Sequence, residues 1–197
     1  PVTTAPPPVA GPRHDDVPAA APYSFTLAGR SFTIRARVCG MPYVRPLDPP
    51  GEQHHTVCWV RQGFGVAPGS NSGTTYVLGH AWAQDPREVL NPASRPATRE
   101  VLAGKPRMVD GIAIYPVRSL LGYRLTLRTS NGTLTYVVRT AYGVRKADAG
   151  KYPHLMDERI HNRVVVITCA ERGGVDYDYN IVLEAYLTSS QRAAARG

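Results

Sequence analysis

The sequence predicts a mainly β protein whose strands close into a barrel, with a few short helices. Three observations lead there. Glycine and proline supply 18 residues each and only 19% of the chain is charged, a mixture that favours short strands joined by turns over a helical bundle. Several segments alternate apolar and polar residues with the period of two that a half-buried strand requires. Asn131-Gly132 separates two such segments, and Asn-Gly between alternating strands is the strongest short-range hairpin signal. With 197 residues the chain can bury one real core and carry a tail besides.

Taken in order, residues 1–22 are rich in Pro and Ala, with three consecutive prolines at 6–8. They offer too little apolar surface to offset ordering and read as a linker or arm. The barrel is expected over residues 23–190, with 191–197 as a C-terminal tail. Tyr23–Leu27 and Phe32–Val38 flank Ala28-Gly29-Arg30 as a hairpin, with Arg30, Arg35 and Arg37 on the solvent side. A Pro-rich loop follows from Pro42 to Gln53, then a strand at Val57–Val60. A Gly-rich excursion over 61–73 leads to a strand at Thr74–His80. Short helix-like stretches fall at Asp85–Leu90 and Ala97–Gly104. Arg124–Thr129 and Thr133–Val138 form the Asn-Gly hairpin, and Tyr142–His161 is a connection. Val164-Val165-Val166-Ile167 reads as a strand buried on both faces. It ends at Thr168-Cys169, where a loop from Ala170 to Asn180 is expected before a last strand at Ile181–Leu187.

Three cysteines make the redox reading informative. Pairing Cys39 with Cys58 would close a loop of about 20 residues and add about 3 kcal/mol in the chain-entropy model, which implies an oxidising compartment. Cys169 is then the odd thiol, suited to intermolecular pairing or to reactivity. The alternative is three reduced thiols packed as small hydrophobes in a cytosolic protein. A net charge of +8 attracts anions. Without a basic-aromatic cluster this does not point to nucleic acid, and anionic cell-surface polymers account for it equally well. His54 and His55 point to opposite faces of a strand, and no third ligand has a supporting spacing, so no metal is expected. No Gly-rich phosphate loop is present, so no cofactor is expected either. No apolar run approaches the ~20 residues of a spanning helix. The chain opens on Pro1 rather than Met, so it reads as trimmed, which leaves room for a removed upstream anchor.

Two residues stand out chemically. Cys169 sits at the exit of a rigid buried strand, which positions a thiol more firmly than a loop does. His80 likewise ends an apolar run, with Gly79 just before it giving close backbone access. A nucleophile and a proton shuttle at two strand ends can meet at one barrel rim.

Tyr76-Val77-Leu78-Gly79-His80, Leu121-Gly122-Tyr123-Arg124-Leu125-Thr126-Leu127 and Val166-Ile167-Thr168-Cys169 together, with Val57-Cys58-Trp59 and Ala67-Pro68-Gly69 upstream, resemble the sortases. These are the cysteine transpeptidases of Gram-positive cell surfaces, and the likeness is greatest to the actinobacterial E and F types. It spans roughly Phe32 to Leu187. The resemblance implies a closed sortase-type barrel in which Cys169 forms a thioester and His80 moves the proton. Thr168 would orient the substrate. It also implies a Leu-Pro-any-Thr-Gly-like sorting signal as substrate and an amine on a cell-wall precursor or pilin as acceptor. The location implied is extracytoplasmic, anchored in the cell membrane. The family's arginine precedes an apolar run such as Ile181-Val182-Leu183, but here that place holds Asp176-Tyr177-Asp178-Tyr179-Asn180. Arg172 is the nearest basic residue and Arg139 the next candidate, with Tyr179 and Asn180 as weaker hydrogen-bonding substitutes. Three alternatives stay open: another kind of cysteine hydrolase, a degenerate barrel that binds a sorting peptide or wall polymer without full catalysis, and a β-domain whose Cys169 is core.

Overall fold

The computed structural model describes residues 14–44, 49–50 and 53–194. Ten strands and three helices follow the chain: β1 (Pro22–Ala28), β2 (Thr33–Pro42), β3 (Thr56–Gln62), β4 (Thr74–Leu78), α1 (Asn91–Ala103), β5 (Arg107–Val109), β6 (Ile112–Pro116), β7 (Arg124–Thr129), β8 (Gly132–Arg145), α2 (Lys146–Ala149), α3 (Pro153–Met156), β9 (Arg163–Arg172) and β10 (Val175–Arg192). Strand order is β10-β9-β4-β3-β2-β1-β7-β8, and a further β8–β10 pairing closes the circle into an eight-stranded barrel. Closure leaves no unpaired barrel edge. The β5–β6 hairpin hangs from β8 alone.

Alternation builds the walls as expected. Phe25 and Leu27 of β1, Leu125 and Leu127 of β7, and Leu134 and Tyr136 of β8 are buried in one core, while Arg30, Arg35 and Arg37 are exposed. A second core lies on the other face of β4, β9 and β10. There Tyr76, Leu78, Val165 and Val182 pack beneath Ala149 and Leu155 of the short helices. Cys39 and Cys58 are register partners in the parallel β2–β3 pair, with Cα atoms 4.4 Å apart, and they form a disulfide.

Several boundaries differ from the sequence reading, each for a physical reason. The loop expected at 170–180 is a hairpin: β9 runs on to Arg172, and β10 starts at Val175. Gly173 and Gly174, both at positive φ, make the turn, and glycine adopts that conformation without strain. A bulge between Tyr177 and Asn180 lies opposite Ala170 and Cys169. The two helix-like stretches give way to the single helix α1, which has Pro92 in its first turn and Pro96 inside. Proline suits a first turn because its missing N–H has no intrahelical partner there. The connection from Tyr142 is occupied first by the end of β8, then by α2 and α3. β4 stops at Leu78, two residues before His80, and β5 and β6 were not anticipated.

Within the expected linker, His14 pairs with Ser190 of β10 and Val17 is buried. Residues 1–13 lie outside the described residues. β10 takes in Gln191 and Arg192 of the expected tail. No described helix is long and apolar enough to cross a membrane.

Candidate active site

Register brings Cys169 and His80 together. β4 and β9 are parallel neighbours in which Leu78 pairs with Ile167, and the Gly79 amide donates to the Ile167 carbonyl at 3.3 Å. His80 stands two residues past the end of β4, and Cys169 two residues beyond Ile167 within β9. Both residues line the same two cavities. Both are half-buried, and Cys169 is the unbridged cysteine. A Cβ at Gly79 would meet Leu90 Cδ1 at 2.7 Å and Val57 Cγ1 at 3.0 Å, so a larger residue there would crowd the core before His80. His80 Nε2 lies 3.2 Å from the Pro49 carbonyl. A carbonyl only accepts, so Nε2 carries a hydrogen in this contact.

Two cavities open beside the pair. The first, about 560 Å³, has Leu78, Ile167, Leu155 and Met156 in its wall, with Thr168 and Asn180. Its volume is that of an ordinary ligand pocket. The second, about 510 Å³, is lined by Ala81, Trp82, Glu88 and Asp176. His80, Cys169 and Lys146 belong to both walls.

The other candidates divide. Asn180 pairs with Cys169 across β9–β10 and lines the first cavity. Thr168 is only 3% exposed, and its Oγ1 is enclosed with no hydrogen-bond partner among the described residues. Tyr179 joins neither cavity. It packs edge-on against Tyr115 at 5.3 Å, with the Arg145 guanidinium 5.9 Å from its ring centre. Arg172 ends β9 at the exposed hairpin turn, and Arg139 is exposed within a β8–β10 bulge; neither lines a cavity. Nearness in sequence misleads for Arg172 because the hairpin carries it outward. His54, for which no third ligand was visible, meets Asp85 at 2.9 Å, with a Glu88 ligand atom within 4.8 Å of both. Asp85 also takes Arg87 in two side-chain contacts, and Arg87 holds its carboxyl far below the usual carboxylate range. Asp85 is thus held by His54 and Arg87, while Glu88 Oε2 is enclosed with no hydrogen-bond partner among the described residues.

Sequence reasoning missed the residues that fix the pair. The buried stripe of α1 is partly polar, at Asn91, Ser94 and Thr98. Asn91 Oδ1 accepts from the Trp82 amide at 2.8 Å, and its Nδ2 donates to the Asp85 carbonyl at 2.8 Å, which pins the loop after His80. Ser94 Oγ donates to the Cys169 carbonyl at 2.8 Å and accepts from the Glu171 amide at 2.9 Å. Arg95 adds a 2.6 Å contact to buried Glu171. The available signal was a polar stripe at i, i+3 and i+7, obscured by the two prolines. Ser94→Ala is expected to lower stability by about 1–3 kcal/mol, the cost of leaving buried strand groups unpaired. A denaturation midpoint equal to that of the parent protein would refute this.

No family model matches the chain, and no curated protein matches its sequence. Solved structures do match in shape. Sortase A of Listeria monocytogenes gives a TM-score of 0.52 at 14% identity, covering 89% of this chain and 92% of that one. A lid mutant of Corynebacterium diphtheriae sortase A gives 0.52 at 11%, covering 87% and 73%. Sortase C-1 of Actinomyces oris gives 0.52 at 11%, covering 83% and 73%. At such identities the likeness is one of fold, and the chain is a closed β-barrel of the sortase fold.

Proposed function

We propose that this protein is a sortase-type cysteine transpeptidase, with residues 23–190 as its catalytic domain. The observation that supports this most is the placement of Cys169 on β9, and of His80 just past the end of the parallel neighbour β4, at the junction of two cavities. Acyl transfer needs a nucleophile, a proton shuttle and a place for each half of the substrate. The Cys169 sulfur attacks the scissile carbonyl carbon, and the imidazolium of His80 protonates the departing amine. A thioester remains. The first cavity, walled by apolar side chains, suits the leucine and proline of a sorting signal. The second suits the incoming amine, since Glu88 and Asp176 attract an ammonium beside the thiol even though the whole chain is positive. His80 then removes the ammonium proton so that nitrogen can attack the thioester.

The finer reading places the enzyme with the actinobacterial E and F types. It would act outside the cytoplasm of a Gram-positive cell, on a membrane anchor beyond this chain, joining surface proteins to a cell-wall or pilin amine. The test is to incubate the protein with a Leu-Pro-any-Thr-Gly peptide and a lysine side-chain amine. A Cys169 thioester by mass spectrometry and an amide-linked product are expected. Release to water alone, even at high amine, would instead indicate a hydrolase. Peptide binding without a thioester would indicate the degenerate barrel, the reading that the missing arginine favours.

A further inference from the structure

Breaking an amide by thiol attack places a full negative charge on the former carbonyl oxygen, and a site lacking a donor for it is slow. The two basic residues nearest in expectation, Arg172 and Arg139, line neither cavity. One cation does more than line a wall. Among the described residues, only His80, Cys169 and Lys146 belong to both cavities.

The backbone accounts for the position of Lys146. Val144 on β8 and Cys169 on β9 both pair with Asn180 of β10. Val144 and Val182 belong to the core on the Cys169 side of the sheet. Two residues beyond Val144, in the same alternation, stands Lys146, the first residue of α2. Arg145 has the opposite parity and stacks over Tyr179 instead. Lys151 lines only the first cavity. Lys146 makes no ion pair with any described residue, whereas Lys151 is 3.0 Å from Asp148.

We infer that Lys146 is the cationic donor that stabilises the oxyanion formed when Cys169 adds to the substrate. This deepens the transpeptidase reading above and rests on it. As the sulfur–carbon bond forms, the carbonyl π electrons move to oxygen, and an Nζ–H of Lys146 donates to that oxygen. Collapse restores the carbonyl and expels the amine, which leaves with the His80 proton. The same donor serves again when the acceptor amine attacks the thioester.

The experiment compares the parent protein with Lys146→Met, Lys146→Arg and Arg172→Ala, using a Leu-Pro-any-Thr-Gly peptide and a lysine amine. Methionine keeps most of the exposed stem, and circular dichroism checks that each variant folds. Lys146→Met is expected to lower kcat by ~10²–10³-fold, the usual loss of one oxyanion donor, with KM changing far less. Lys146→Arg should recover most of the rate, and Arg172→Ala should match the parent. Alkylation of Cys169 by iodoacetamide, which forms no oxyanion, should slow far less in Lys146→Met than kcat falls, since toward the thiol a nearby ammonium only lowers its pKa. A Lys146→Met rate within threefold of the parent overturns the assignment. So does an alkylation rate that falls as far as kcat, which would make Lys146 a tuner of the thiol instead. Failure of the parent to form any thioester overturns the transpeptidase reading and the assignment with it.

Discussion

Cys169→Ala is expected to abolish acyl transfer, by roughly 10⁶-fold if it behaves like loss of the nucleophile in other covalent acyl-transfer enzymes. The barrel should survive. Cys169 is half-buried, and its carbonyl, which the Ser94 hydroxyl holds, is untouched by the change. Thermal unfolding should therefore stay near that of the parent while the thioester disappears from the mass spectrum. Retention of more than a tenth of the parent rate would remove Cys169 from the chemistry. An unchanged affinity for the peptide, with turnover gone, would separate binding from bond breaking.

The second large effect concerns stability. Arg163 and Glu184 have side chains with no solvent exposure, and Arg163 Nη1 lies 3.6 Å from Glu184 Oε1. Arg163 also donates to the carbonyls of His154 at 2.9 Å and Asp157 at 2.7 Å. Glu184 accepts from the Tyr142 hydroxyl at 3.0 Å, and its Oε2 lies 2.9 Å from His154 Nε2. Burial, reinforced by the Glu184 charge, pushes the Tyr142 phenol well above its usual range, so it remains a donor at any working pH. Arg163→Ala strands the carboxylate and the carbonyls at the end of α3, and is expected to cost about 3–5 kcal/mol. Because α3 supplies Leu155 and Met156 to the first cavity, peptide KM should rise as well. Urea unfolding measures the first effect. A loss below 1 kcal/mol would mean the network relaxes or admits water.

Much of this was legible in the sequence. Alternation located β1, β2, β7 and β8, because a half-buried strand cannot avoid it. The valine run and the Gly-His pair marked two strand exits, and the closed barrel sets both in the walls of the same two cavities. What escaped depends on pairing rather than on pattern. Lys146 enters the site because β8 and β9 flank the same strand, β10, a fact absent from any local window. Arg172 seemed near because it follows Cys169 closely, yet the two glycines after it make a tight turn and not a loop folding over the thiol. Asn91 and Ser94 were hidden between prolines, where helix propensity is poor.

Helix α1 has one further implication. It grips the loop behind His80 through Asn91 and the strand at Cys169 through Ser94, and so acts as a spacer gauge between two segments distant in the chain. During refolding, a closed barrel whose gauge has not yet seated would contain both reactive groups and still be inert. Recovery of turnover should then lag behind strand formation and keep time with helix docking.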